Sequence, residues 1–226
     1  MSDLGLLSYY LGIEVKQSPG EISLCQSAYV VKLSDKCGMT DCYETQAPMD
    51  QRHKLSKRSS NAPVDTTMYR SVVGSLRYLV HTRPDLAYSV GIVSHFMKNP
   101  TTEHMSAVKQ ILRYMKGTIN LGCTYRKGKE GLILRGYSDS DMAGDVDDRK
   151  STTGMIFYLG PNPIIRNSQK QKVVVLSSCE AEYIAASTAA CQAVWLRRLL
   201  ADLAKREVQK VPLKISLCKN LVYHER

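Results

Sequence analysis

Five runs decide the fold class: LILRGYSDSD (132–141), GMIFYLG (154–160), PIIRN (163–167), KVVVLSS (172–178) and SSCEAEYIAASTAACQAVWLRRLLADLAK (177–205). The first four are short, apolar or alternating, and divided by Gly, Pro and polar turns, which is the texture of strands. They predict three antiparallel strands. The fifth is rich in Ala and Leu, has a Ser at its N-cap and contains neither Pro nor Gly, so it predicts a long helix over 178–204. PLKISL (212–217) supplies a further strand beside the first. Strands on one side and a helix across them predict an α+β fold.

Upstream, residues 7–25 alternate as strand, turn and strand through SYYLGIEV, SPGE and ISLC, a β-hairpin. Tyr29, Val30, Leu33 and Cys37 then fall at helical spacing, with Gly38 placed to end the helix. Residues 44–67 are polar, hold Pro48, Pro63 and the basic residues Arg52, Lys54, Lys57 and Arg58, and read as a long connection. Three helices follow. Their apolar faces are Tyr69, Val72, Val73, Leu76, Leu79 and Val80; then Leu86, Val90, Val93 and Met97; then Met105, Val108, Ile111, Leu112 and Met115. The implied organisation is 1–50, 51–130 and 131–226.

The chain of 226 residues carries 31 Lys plus Arg against 21 Asp plus Glu, a formal charge of +10 that favours polyanionic partners. Lys109, Arg113 and Lys116 share the third helix's outer face, and residues 109–135 hold seven basic residues against the single acid Glu130. With Arg126 and Lys127 they form the candidate nucleic-acid surface; an ordinary solvated helix face would look the same. No apolar run reaches the roughly 20 residues of a membrane-spanning helix, and no secretory signal opens the chain. The expected setting is intracellular, cytoplasmic or nuclear, with no membrane partner. Seven cysteines lack CxxC or Cys–His ligand spacing, which argues against a disulfide framework and a structural zinc.

Five aspartates lie between 139 and 148. Asp145, Asp147 and Asp148 read as solvated loop residues, whereas Asp139 and Asp141 extend an apolar strand and alternate onto one face. Glu180 and Glu182 open the long helix, where carboxylates oppose its dipole. Two residues along a helix turn about 200°, so only one can face the sheet. Glu180, which shares a side with Ile184, Cys191 and Trp195, is the inward candidate. An Asp on the first strand and a Glu on the helix can hold divalent metal for phosphodiester hydrolysis, although that chemistry needs more than two carboxylates.

These residues resemble the copia-type LTR retrotransposon polyprotein, over the end of reverse transcriptase and most of ribonuclease H. DLGLLSYYLGIEV is similar to the family's primer-holding hairpin, and CQSAYVVKLSDKCGM to the start of its thumb. The helical stretch from YRSVVGSLRYLV to QILRYMKGT resembles its connection. GYSDSDMAGDVDDRKSTTG and LSSCEAEYIAASTAACQAVWLRRLL resemble the first strand and first helix of its ribonuclease H domain. The resemblance implies Asp139 and Glu180 as catalytic metal ligands, Asp141 as their neighbour or a further ligand, Mg²⁺ or Mn²⁺ as cofactor, and an RNA–DNA hybrid as substrate.

The departures are specific. Met142 and Arg166 stand where the family pattern has tryptophans. The polymerase Asp-Asp motif belongs upstream of Met1, so polymerisation is not expected of these residues. After LKI the sequence runs directly into SLCKNLVYHER, which implies an internal deletion that removes a third catalytic aspartate; neither Lys219 nor Glu225 replaces it. The last strand and final ligand belong beyond Arg226. The expected fold is therefore a hairpin and helical connection followed by a truncated ribonuclease H-like domain. The expected function is that of a catalytically inactive remnant with nonspecific nucleic-acid binding, the alternative being an active metal-dependent ribonuclease H.

Overall fold

The computed structural model describes residues 5–50, 54–128, 133–205 and 211–215. The chain forms two compact units, Met1–Tyr125 and Arg126–Arg226.

In the first unit, β1 (Tyr9–Tyr10), β2 (Ile13–Ser18), β3 (Glu21–Cys25) and β4 (Gly122–Arg126) form a sheet in that order. The β2–β3 hairpin closes through Pro19 and Gly20, whose φ of +84° suits glycine. Helix α1 (Ser27–Lys36) ends where Gly38 adopts φ +63°, its amide and that of Met39 bonding back to Asp35 and Ser34 carbonyls.

Helix α2 (Thr66–Leu79) starts at Asp65, whose carboxylate accepts the Thr67 amide at 2.8 Å. Pro84 opens a 3-10 turn into α3 (Ala87–Ser94), and α4 (Thr102–Gly117) follows. An unusual capping box starts α4: His104 Nδ1 accepts the Thr101 amide, while its ring stacks on Phe96 with centroids 4.0 Å apart.

The three apolar faces read from the sequence meet in one core. Tyr69, Leu76, Leu79, Leu86, Val108, Ile111 and Met115 are fully buried there. Val30 and Leu33 from α1, and Met49 and Leu55 from the 44–67 connection, join the same cluster. One core thus draws on both sides of position 50, and the break between compact units comes at 125/126.

In the second unit, β5 (Leu134–Ser140), β6 (Thr152–Leu159), β7 (Asn162–Lys170) and β8 (Leu213–Ile215) form a sheet ordered β7-β6-β5-β8. The first three are antiparallel and β8 runs parallel to β5, with α5 (Ser178–Ala204) packed on the sheet. The strand–strand–strand–helix–strand order is the ribonuclease H-like arrangement expected.

One strand expectation is corrected. KVVVLSS is not a strand, because β7 already runs to Lys170 and this segment carries the chain from the sheet to α5. Val175 is buried on the way, while Val173 and Val174 are about half exposed.

The second core is narrow. Leu134, Phe157, Ala189, Ala193 and Leu196 are its buried members. Gly136 lies opposite both Phe157 and Leu213, and a Cβ there would come within 2.5 Å of the Phe157 ring. Glycine at 136 lets the ring seat flat on the strand.

Candidate functional site

Strand alternation sorts the residues around Asp139. Gly136 faces the core under α5, so Ser138 and Ser140 belong to that face, while Arg135, Tyr137 and Asp139 belong to the opposite one. Thr153, paired with Ser140, shares the helix side. Beneath the first turns of α5, the Gln171 amide donates to Ser140 Oγ, Thr153 Oγ1 and the Ala181 carbonyl at 3.0–3.2 Å. Ser138, Thr153 and Gln171 are all buried.

The inward carboxylate of α5 is Glu182, which corrects the choice of Glu180. Ala181, Ala185, Ala189, Ala193 and Leu196 form the buried stripe of the helix, and Glu182 borders it. Its Oε1 accepts the Ser140 amide at 3.2 Å. Glu180 is exposed and caps the helix: its amide donates to Ser177 Oγ at 3.1 Å, and its Oε2 accepts the Leu176 amide at 2.8 Å. The Cys191 and Trp195 side, expected inward, is turned out, with Trp195 half exposed and Cys191 exposed. An alanine every fourth residue was the available signal, since small side chains let a helix approach a sheet closely.

Asp141 lies beyond the end of β5 and holds a loop. Its carboxylate accepts the Thr152 amide and the Gly144 amide, and a Cβ at Gly144 would collide with it at 2.0 Å. Asp145 is likewise a structural group, not a solvated one. Its carboxylate accepts the Asp147 and Asp148 amides, each at 2.9 Å, while Lys170 Nζ bonds both Asp145 and Asp148.

The electrostatics separate the two ends of this segment. Burial pushes the Asp139 carboxyl above its ordinary range, and the Ser140 amide offsets this only in part. Burial also raises Glu182, with the Asp139 charge adding to it, so these two carboxylates feel each other. Asp141 is raised by desolvation against its two amide hydrogen bonds. Burial works to raise Asp145 too, but hydrogen bonds from Lys170 and the neighbouring amides outweigh it and bring its pKa down to about 2.

The residues do not fit a pair of divalent ions. Glu180 is committed to a cap and Asp141 to its loop, which leaves Asp139 and Glu182 alone to meet at the Ser140 amide, too few to hold two ions. Among the described residues no three His, Cys, Asp or Glu side chains are grouped to hold a metal. The segment after Ile215, where the deletion of a third acid is expected, lies outside the described residues, as do Lys219 and Glu225.

The basic candidates divide. Lys109 is exposed on α4, but Arg113 is half-buried with no partner for its Nε among the described residues, and Lys116 donates to the Cys42 carbonyl at 2.8 Å. The 42–47 segment lies along this side of the helix, where Thr45 Oγ1 donates to the Gln110 carbonyl and Glu44 packs against Gly117. Arg126 and Lys127 are exposed in the second unit; the Arg126 backbone pairs with the Asn162 amide through two 2.8 Å bonds. Among the described residues no helix is long and apolar enough to cross a membrane.

A family profile described as reverse transcriptase (RNA-dependent DNA polymerase) matches residues 1–51. The chain is 43% identical, over 97% of its length, to the retrovirus-related Pol polyprotein from transposon RE1 of Arabidopsis thaliana, and 39% identical, over its full length, to that from transposon TNT 1-94 of Nicotiana tabacum. It spans only 15% and 18% of those polyproteins. An uncharacterized mitochondrial protein of Arabidopsis thaliana, AtMg00810, is 38% identical over 86% of the chain and 80% of its own length. Extended identity across both units, together with the fold, places the chain in the copia-type LTR-retrotransposon Pol family, within its reverse transcriptase–ribonuclease H region.

Proposed function

We propose that this chain is a nucleic-acid-binding part of the retrotransposon reverse transcriptase–ribonuclease H region that does not cut RNA–DNA hybrids. The observation that carries the reading is how few acids meet: Asp139 and Glu182 share the Ser140 amide, Glu180, which matches the family motif, caps the helix, and among the described residues no third acid joins them. Two-metal hydrolysis needs oxygens that bracket both the attacking and the leaving atoms, and two carboxylates are too few to do so. Mg²⁺ or Mn²⁺ would therefore be held weakly or not at all.

The +10 charge supports nonspecific binding through phosphates. Lys109, Arg113, Lys116, Arg126 and Lys127 are the proposed contacts, with Lys109, Arg126 and Lys127 the more accessible.

The alternative, an active ribonuclease H, is favoured by one observation, the meeting of Asp139 and Glu182 at the Ser140 amide. Hybrid cleavage with Mg²⁺ or Mn²⁺, measured beside binding of the same hybrid, separates the readings. We expect salt-dependent binding without cleavage. Cleavage lost in Asp139→Asn and in Glu182→Gln would establish the alternative, and loss in Glu180→Gln would restore the motif-based assignment. In the binding arm, reversing Lys109, Arg113 and Lys116 to Glu should weaken all sequences alike and flatten the salt slope.

A further inference from the structure

Beneath the first turns of α5 three buried polar atoms have no hydrogen-bond partner among the described residues: Ser138 Oγ, Gln171 Oε1 and Glu182 Oε2. Buried polar groups in folded proteins are nearly always bonded, so three in one layer call for a shared partner. They gather around Ser140. Glu182 accepts the Ser140 amide through its other oxygen, and Gln171 donates to Ser140 Oγ through its nitrogen. Ser138 precedes Ser140 by two residues on the same face of β5.

The polar groups nearby are already committed. Gln171 Nε2 donates to the Ala181 carbonyl at 3.0 Å, and a carbonyl only accepts, so the amide cannot flip and its oxygen points elsewhere. The Ser140 hydroxyl hydrogen serves the Asp141 and Thr152 carbonyls, and the Ser140 amide serves Glu182 Oε1 and Asp139. Two oxygens that can only accept remain, on the Gln171 amide and the Glu182 carboxylate, with one hydroxyl that can donate or accept. A water molecule has the matching set, two hydrogens for the acceptors and a lone pair for the hydroxyl. Ser138, Ala181 and Ala185 are fully buried in the same layer, so the ligand is small and enclosed. A divalent ion fits less well, because it takes roughly six oxygens and this layer leaves three.

We propose that one enclosed water molecule bridges Ser138 Oγ, Gln171 Oε1 and Glu182 Oε2. It ties β5, the residue after β7 and the start of α5 together at one point, and it holds the Glu182 oxygen that Ser140 does not. Waters of this kind make two to four hydrogen bonds to groups that would otherwise go unpaired, and they are costly to remove.

A crystal structure of the whole chain at a resolution that shows ordered solvent, with and without Mn²⁺, tests the site without any variant. One peak should lie about 2.7–3.2 Å from all three atoms and give no anomalous signal. A manganese peak bonded to Glu182 Oε2, a side chain seated among the three atoms, or no density there would overturn the proposal.

Stability gives an independent reading. Removing an unpaired buried hydroxyl leaves a protein as stable or more so, whereas removing one that bonds a fixed water costs stability. Ser138→Ala should therefore lower the urea midpoint followed by Trp195 emission, by about 0.5 M. An unchanged or raised midpoint would count against the water. Ser138 Oγ and Gln171 share no direct bond. In Ser138→Ala combined with Gln171→Met the loss should still fall short of the sum of the single losses, because both substitutions release the same water. Additive losses would overturn the shared site. Neither readout depends on hybrid cleavage, so this site and the reading of the acids stand or fall separately.

Discussion

The two units bury different materials. The first fills its interior with Tyr69, Leu76, Leu79, Ile111 and Met115, large side chains from two helices that interlock. The second sets a stripe of alanines from α5 against a sheet in which Phe157 is the largest buried ring, and continues that layer with Ser138, Thr153 and Gln171. Ser138 Oγ and Gln171 Oε1 have no hydrogen-bond partner among the described residues. A core made of large groups spreads its stabilisation over many contacts, whereas a narrow one concentrates it in a few. The polar layer costs stability where its atoms go unpaired, and it lies where the carboxylates gather.

The largest expected effect is at the centre of the narrow core. Phe157→Ala should destabilise the second unit by about 3–5 kcal/mol, the usual cost of emptying a buried ring site. Urea unfolding followed by Trp195 emission reads this unit, since the chain has one tryptophan and it lies on α5. A loss below about 1 kcal/mol would show that the alanine stripe collapses onto the sheet without the ring, ending the contrast.

Gly136→Ala comes next, because its added carbon must displace the Phe157 ring or Leu213; overpacking of this kind costs about 1–3 kcal/mol in the same measurement. In the first unit, Asp85→Asn removes the partner of Arg83, which is 2% exposed and also bonded to Thr118. The aspartate itself is 35% exposed, so the expected loss is nearer 1 kcal/mol than the 3–5 of a fully buried pair. Far-UV circular dichroism, dominated by the helices, follows it.

The pH dependence divides the second unit itself. Asp145 has a folded pKa depressed to about 2, so its contribution is present above the unfolded carboxylate range and is lost as pH falls from about 4 toward 2. Asp145→Asn should abolish that acid-range loss. Asp139 and Glu182 behave oppositely: their folded pKa values are raised, so protonation favours the folded state and stability falls as pH climbs through their folded range. Glu182→Gln should remove part of that fall, the smallest of these effects. A steeper fall in the variant would mean that Glu182 is stabilising as a carboxylate.

The reading of Arg113 and Lys116 shows one limit of periodicity. Spacing put them on the outer side of α4, and the core residues of that helix are those expected. The accessibility of Lys116 depends on residues 42–47, which the sequence offers only as a polar stretch without a path. Burial of Met49 and Leu55 ties the flanks of that connection to the core and carries it past the helix. A helical wheel reports which residues share a side, and it contains nothing about which remote segment later covers that side.

The sequence alone determined the elements: the β2–β3 hairpin, helix α5 over Ser178–Ala204, the core-facing residues of α2 and α4, and the strand order that carries the family likeness. These follow from local physics, in which alternation, helical spacing, caps and glycine conformations act within a few residues of each other. Tertiary structure alone decided which carboxylate of α5 turns inward. Glu180 and Glu182 are both compatible with an amphipathic helix, because one side offers Ile184, Cys191 and Trp195 and the other offers the alanines. The choice rests on how closely α5 can approach the sheet along a buried stripe that is alanine at four of its five positions. That distance is a property of two surfaces in contact, so the alanines went inward, Glu182 came with them to Ser140, and Glu180 remained at the cap.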